Sequence, residues 1–194
     1  MDETYTLWLC PPADSPVHAR LAATIDKYAA LLGGPRFEPH LTLYSSIKAG
    51  SDAEVLNRVA TYVAGLQRHF GDGLMRIPVR IRDVGVGTTF YQCVLLNEDG
   101  NSLLATANSL ASMYWDDKRS RPFVPHVSLV YGNQTPEERD ALREQLAAEL
   151  GDDCPSLSYA SAEIRVMTFS PTAPWRNVGS VDIATGAITT AAGA

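Results

Sequence analysis

Two histidines in matching contexts hold the most legible chemistry in this chain. The first lies in Phe37-Glu38-Pro39-His40-Leu41-Thr42-Leu43, the second in Phe123-Val124-Pro125-His126-Val127-Ser128-Leu129. Each copy reads aromatic, variable residue, Pro, His, aliphatic, hydroxyl, Leu. A single His-x-Thr or His-x-Ser is weak; two copies extended by the same Phe and Pro are much harder to dismiss. Imidazole titrates near pH 6.5, so at neutral pH one ring can accept a proton while the other donates one. Thr42 and Ser128 can donate hydrogen bonds to oxygens on which negative charge gathers. This set suits phosphoester cleavage, above all of a cyclic ester. One histidine would activate water, and the other would protonate the ring oxygen leaving opposite it. The competing reading is two strand histidines that face solvent or are satisfied in the core.

The spacing places these groups. On a strand, residues i and i+2 share a face and lie about 7 Å apart. His40 and Thr42 therefore point one way while Leu41 and Leu43 point to a core, and His126, Ser128, Val127 and Leu129 repeat the pattern.

The elements that must carry the two motifs come in two passes. Strand is predicted over Thr4–Leu9, then a helix capped by Ser15 and Pro16 with Val17, Leu21, Ile25, Tyr28 and Leu32 on one face, stopped by Gly33. A strand at His40–Ser45, a helix beginning at Ser51 through Glu54, and a strand at Ile77–Val84 that could cross to the other half follow. The second pass predicts a strand at Phe90–Leu96, a helix over Ser102–Met113, a strand at Phe123–Tyr131, and a helix capped by Thr135 and Pro136 that Gly151 ends. Strands at Ser161–Phe169 and Val178–Ile183 close it. Strand–helix–strand–helix–strand thus occurs twice, over about 1–85 and 86–170. This predicts an α+β, bilobal, pseudo-twofold fold with sheets facing one another across a central groove. One domain with interleaved lobes is expected over 1–185, and 186–194, small and weakly apolar, as a flexible tail.

Bulk properties exclude several classes. The 194 residues carry a formal charge of −6, which argues against a broad basic face for duplex nucleic acid but not against a small anion in a local pocket. Cys10, Cys93 and Cys154 are an odd, widely spaced set with no C-x-x-C, so neither a disulfide framework nor a zinc knuckle is indicated. Met1–Tyr5 lacks the basic and apolar regions of a signal peptide, and no apolar run approaches a membrane span. A cytoplasmic monomer is expected. No acidic cluster accompanies the histidines, so a di-metal hydrolase lacks ligands.

Three blocks stand in order along the chain: Gly34-Pro35-Arg36-Phe37-Glu38-Pro39-His40-Leu41-Thr42, Gly87-Thr88-Thr89-Phe90-Tyr91-Gln92-Cys93-Val94, and Phe123-Val124-Pro125-His126-Val127-Ser128-Leu129-Val130-Tyr131. On these blocks the chain resembles the 2H phosphoesterase superfamily, in particular the plant- and yeast-type cyclic phosphodiesterases, over about residues 4–183. The resemblance implies a bilobal fold of two antiparallel sheets flanked by helices. It implies hydrolysis of ADP-ribose 1″,2″-cyclic phosphate to the 1″-phosphate and of nucleoside 2′,3′-cyclic phosphates to 2′-phosphates, with no metal and no cofactor. It makes His40 and His126 the acid and base pair and Thr42 and Ser128 the phosphate donors. It also places Tyr131 beside the substrate and the Phe90 region on the nucleoside side. Opening to a 2′-phosphate suggests His40 as acid and His126 as base, although near-symmetry separates the roles poorly.

Blander readings stand beside these. Tyr131 could end a strand packed on the core. Either face of the Phe90 strand could line the groove, Phe90 with Gln92 or Tyr91 with Cys93. Arg36, His18 and His69 read as surface residues and Cys93 as a small buried hydrophobe. The same site could instead act on RNA ends, 2′,5′-linked oligonucleotides or cyclic oligonucleotide signals. A chain of a different class would bind a cyclic phosphate without cleaving it, although both histidines and both hydroxyls are intact.

Overall fold

Helix starts follow local chemistry closely. In a computed structural model describing residues 3–71, 73–115, 122–169 and 175–191, Ser15 caps α1 (Pro16–Leu32) by accepting from the His18 amide, and Gly33 closes it at φ 65°. Ser51 caps α2 (Asp52–Phe70) and Asn101 caps α3 (Ser102–Tyr114). Thr135 and Glu138 form a reciprocal capping box on α4 (Pro136–Leu150). The apolar stripes of these helices, among them Leu21, Ile25 and Tyr28 of α1 and Val55, Val59, Val63 and Leu66 of α2, are fully buried against the sheet.

The strands are β1 (Glu3–Leu9), β2 (Leu41–Ala49), β3 (Ile77–Val79), β4 (Ile81–Val86), β5 (Val94–Glu98), β6 (His126–Val130), β7 (Tyr159–Ser161), β8 (Glu163–Thr168), β9 (Asn177–Asp182) and β10 (Ile188–Thr190). Eight of them form one sheet in the order β10-β9-β8-β1-β2-β6-β5-β4, and β3 pairs with β7. The order makes the pseudo-twofold explicit. The strand ending each pass crosses over: β4 joins β5 of the second pass, and β8 joins β1 of the first. On the way the two crossing segments pair with each other as β3 and β7. Within the eight-stranded sheet, and among the described residues, the halves meet at one residue pair, Leu41↔Val127.

The register repeats as well. Leu7↔Tyr44 and Trp8↔Thr42 flank an irregularity in β1–β2, and Val94↔Val130 and Leu95↔Ser128 flank its counterpart in β5–β6. A bulge at the same point in both copies bends each strand beside the motif.

Four expectations need correction. The segments read as single strands at Ile77–Val84 and Ser161–Phe169 each divide in two, because each serves two sheets during the crossing. Phe123–Pro125 precede β6 rather than joining it; Pro125 has no N–H to give a ladder. Phe90–Gln92 is a 3-10 turn, and the strand starts at Val94. Here Gly87 donates from its amide to the Gln92 carbonyl at 2.7 Å, an approach so close that a Cβ on Gly87 would lie 2.5 Å from the Gln92 Cβ. The expected tail contains β10, which pairs with β9 through the Thr185–Gly186 turn. Residue types gave no alternation there, and the pairing rests on backbone bonds and on Gly179, where a Cβ would meet the Thr189 carbonyl oxygen at 2.4 Å. Residues 192–194 of that expected tail lie outside the described part.

Candidate active site

The Leu41↔Val127 bridge puts both motifs at the waist of the sheet. In an antiparallel pair, moving one residue either way sets His40 against Ser128 and Thr42 against His126, with backbones about 4.5–5.5 Å apart. Each histidine thus stands beside the hydroxyl of the other motif. Leu41 and Val127 turn the opposite way and are fully buried.

The proline of the motif has a mechanical reading. A residue before Pro is restricted to extended backbone, which sets the direction of its carbonyl. His40 Nδ1 lies 2.7 Å from the Glu38 carbonyl and His126 Nδ1 lies 2.8 Å from the Val124 carbonyl. As Nδ1–H donors, both rings leave Nε2 as the basic nitrogen. The same device holds both imidazoles in one tautomer, as an acid–base pair requires.

The surroundings of the two rings differ. His40 is buried, 4% exposed, and stacks face to face on Trp8 with ring centroids 3.5 Å apart. Burial pushes its pKa down to about 3, against the raising effect of the Glu38 carbonyl; His126 and Arg165 lower it further. His126 is half-buried, and desolvation lowers it too. An incoming phosphate anion would favour the protonated form of either ring.

This predicts an acid-labile fold. The unfolded chain protonates His40 near pH 6.5, whereas the folded chain resists down to about 3. Between these values the unfolded state binds more protons, so stability is lost as pH falls. From neutrality to about pH 4.5, this costs about 2–3 kcal/mol at 1.36 kcal/mol per unit. Urea unfolding of His40→Gln should show a correspondingly shallower pH dependence; identical slopes for variant and parent would show that His40 is not held neutral.

The hydroxyls are also unequal. Thr42 is half-buried, and its hydroxyl makes no hydrogen bond among the described residues. Ser128 is buried and donates to the Tyr91 carbonyl at 2.9 Å. Tyr131 lies beside Ser128, its phenol pushed up by burial, and its ring stacks on Phe37 with centroids 3.8 Å apart. Phe90 is half-buried, 6.2 Å from the Tyr131 ring. The structure therefore gathers His40, His126, Thr42, Ser128 and Tyr131 into one region, with Phe90 at its margin.

Trp8 and Trp175 were not expected here, and Tyr91 stood only as an alternative to Phe90. Trp175 packs edge-on against Trp8 at 5.2 Å and Tyr131 at 5.8 Å. Tyr91 lies 5.3 Å from Tyr131 and 6.1 Å from Trp175. Because Phe90–Gln92 is a turn, strand alternation does not separate Phe90 from Tyr91, and both reach Tyr131. Trp8 had a signal: with Tyr5, Leu7 and Leu9 committed to the core, Thr6 and Trp8 must face the other way. Trp175 had none, since only the fold brings it here.

Other sequence readings stand as follows. Arg36 is exposed and 3.7 Å from Asp26, and Cys93 is fully buried. His18 is only half-buried, with Nε2 3.9 Å from Glu38. Among the described residues no three His, Cys, Asp or Glu side chains gather to hold a metal ion, and no helix is long and apolar enough to cross a membrane.

Comparison with known proteins gives a consistent set. Residues 1–183 match the family described as cyclic phosphodiesterase-like protein. A cyclic phosphodiesterase of Arabidopsis thaliana is 26% identical over 158 residues, 81% of this chain and 80% of the relative. A 2′,3′-cyclic-nucleotide 3′-phosphodiesterase of Saccharomyces cerevisiae is 26% identical over 163 residues, 71% of this chain and 68% of the relative. Among solved structures, apo LigT of E. coli aligns with a TM-score of 0.53 at 15% identity, over 94% of this chain and 98% of that one. Usb1 of Kluyveromyces marxianus aligns at 0.54 and 14% identity, over 90% and 97%. At these identities the structural likeness speaks to the fold.

Proposed function

The chain belongs to the cyclic phosphodiesterase-like family of 2H phosphoesterases, and from that premise we propose that it opens nucleoside 2′,3′-cyclic phosphates to 2′-phosphates and ADP-ribose 1″,2″-cyclic phosphate to the 1″-phosphate. The observation that carries this reading is the pair of imidazoles flanking one strand bridge, each fixed through Nδ1 to the carbonyl two residues before it. One Nε2 takes a proton from water as it attacks phosphorus; the other gives a proton to the ester oxygen as the ring opens. Thr42 and Ser128 donate to the non-bridging oxygens as negative charge builds there. Tyr131 and Phe90 flank the nucleoside. The relatives' names, cyclic phosphodiesterase and 2′,3′-cyclic-nucleotide 3′-phosphodiesterase, support the substrate class and breakage of the bond to the 3′ oxygen. As a net acidic, cytoplasmic monomer, the enzyme acts on small cyclic phosphates rather than duplex nucleic acid.

The test is to incubate the protein with 2′,3′-cyclic mononucleotides, ADP-ribose cyclic phosphate, 2′,5′-linked oligonucleotides and cyclic dinucleotides, and to identify products by ³¹P NMR. Nucleoside 2′-phosphates should accumulate, at an equal rate with and without EDTA. If both leading substrates stayed intact, the reading would fail. Calorimetric binding without turnover would make the chain a binder, and loss in EDTA with rescue by metal would contradict metal-free chemistry.

A further inference from the structure

The pseudo-twofold makes the two histidines equivalent in backbone, yet among the described residues one carries a support that the other lacks. Residues related by the repeat can be paired through the register. Trp8 faces Thr42 on one side and Arg165 on the other. Leu95 holds the matching place, facing Ser128 and Gly85. Arg165 therefore corresponds to Gly85, Trp8 to Leu95, and Glu38, two residues before its histidine, to Val124.

Around His40 these positions are linked. Arg165 reaches from β8 with only 15% of its side chain exposed and bonds the Glu38 carboxylate through Nη1. Its Nη2 lies 3.3 Å from Glu163. The carbonyl of the same Glu38 holds His40 Nδ1, and Trp8, cross-strand neighbour of Arg165, forms the stacking face under the ring. Around His126 no such linkage stands among the described residues. Val124 is 59% exposed and has no carboxylate for a guanidinium to grip, and Gly85, in the place of Arg165, has no side chain to reach it.

We infer that Arg165 is a positioning residue for His40, acting through Glu38, and that this clamp makes the two histidines of the site inequivalent. It rests on the two-histidine reading above. A guanidinium holding the carboxylate fixes the loop whose carbonyl aims the imidazole, and Arg is suited to this because its planar donors grip two carboxylates at once. The charged and titratable groups facing this corner are Arg165 and Glu163 from β8, Cys10 after β1, Glu38 itself, His18 from α1 and His126 from β6. Among these, Arg165 disfavours protonation of His40. Losing it should loosen the ring and let it take up a proton at higher pH.

The experiment compares Arg165→Met, Arg165→Lys and Glu38→Gln with the parent, recording kcat and KM against pH on a 2′,3′-cyclic nucleotide and imidazole ¹⁵N spectra. For Arg165→Met, kcat should fall about 10- to 100-fold, the scale of a small misplacement of a catalytic group, with KM little changed. The pH limb set by His40 should move to higher pH. The His40 ring should lose its pure Nδ1–H tautomer while that of His126 keeps it. Arg165→Lys should recover part of the rate. Should Arg165→Met not fold, Glu38→Gln, which keeps the side chain's shape but leaves the guanidinium without its partner carboxylate, should show the same loss of the pure Nδ1–H tautomer at His40, with the His40 limb moving to lower pH. Unchanged pH limbs and tautomers, or equal changes at both rings, would overturn the inference. Near-parental activity in His40→Ala and His126→Ala would instead overturn the reading beneath it.

Discussion

His40→Ala and His126→Ala should each lower kcat on a 2′,3′-cyclic nucleotide by about 10²–10⁴-fold, the range for loss of one general acid or base, while KM moves little. Each ring moves a proton only as the phosphorus–oxygen bonds change, so its worth lies in the transition state and not in the bound substrate. Removing both should cost much less than the product of the single losses, because acid and base serve one concerted act. The two variants should nevertheless differ in stability. His40 is buried and stacked on Trp8, so truncation leaves a hole beside the indole, whereas His126 is half-buried and its loss leaves less. Thermal unfolding should therefore fall further for His40→Ala, and His40→Gln should restore part of the Tm without restoring the rate. Activity in either alanine variant within about tenfold of the parent would remove the acid–base assignment.

Legibility from sequence followed the range of the forces involved. Caps, helix faces and the Phe-x-Pro-His-x-hydroxyl repeat are local, and Ser15, Thr135, Gly33 and both motifs lie where short-range chemistry puts them. The crossing of Ile77–Val86 was readable as an event but not in its detail, since the break at Arg80 depends on pairing β3 with Tyr159–Ser161 about eighty residues on. Phe90 was misread as strand because its residue types favour one. The turn is decided by the approach of Gly87 to Gln92 and by the bond from the Gly132 amide to the Phe90 carbonyl. Trp175 and Arg165 join the site only through packing, which alternation within one strand does not encode. The site's equality was legible; its inequality, set by what stands opposite Trp8 and Leu95, was not.

That inequality sets a second large effect. Thr42→Val should lower kcat by about 10²-fold, the low end for losing one preorganised donor to a developing anion, with Tm and KM close to the parent. The hydroxyl has no partner among the described residues to lose, and Val keeps the β-branched shape that suits β2. Ser128→Ala should behave differently although it removes the same group. Its hydroxyl is already bonded to the Tyr91 carbonyl, so truncation withdraws that carbonyl's donor at a cost of about 1–3 kcal/mol. The change should register in Tm. It should also register in KM, because the backbone released is that of Tyr91, whose ring packs on Tyr131 and Trp175. For Ser128 to serve the phosphate, its proton must turn from Tyr91 toward the substrate, which spends part of the stabilisation that Thr42 delivers whole. Thr42→Val should therefore cost more in kcat than Ser128→Ala. Steady-state kinetics and thermal melts of the two variants decide it: parental kcat in both would strip the hydroxyls of their role. A Ser128→Ala loss confined to kcat would mean that Ser128 leaves Tyr91 without consequence for the aromatic wall.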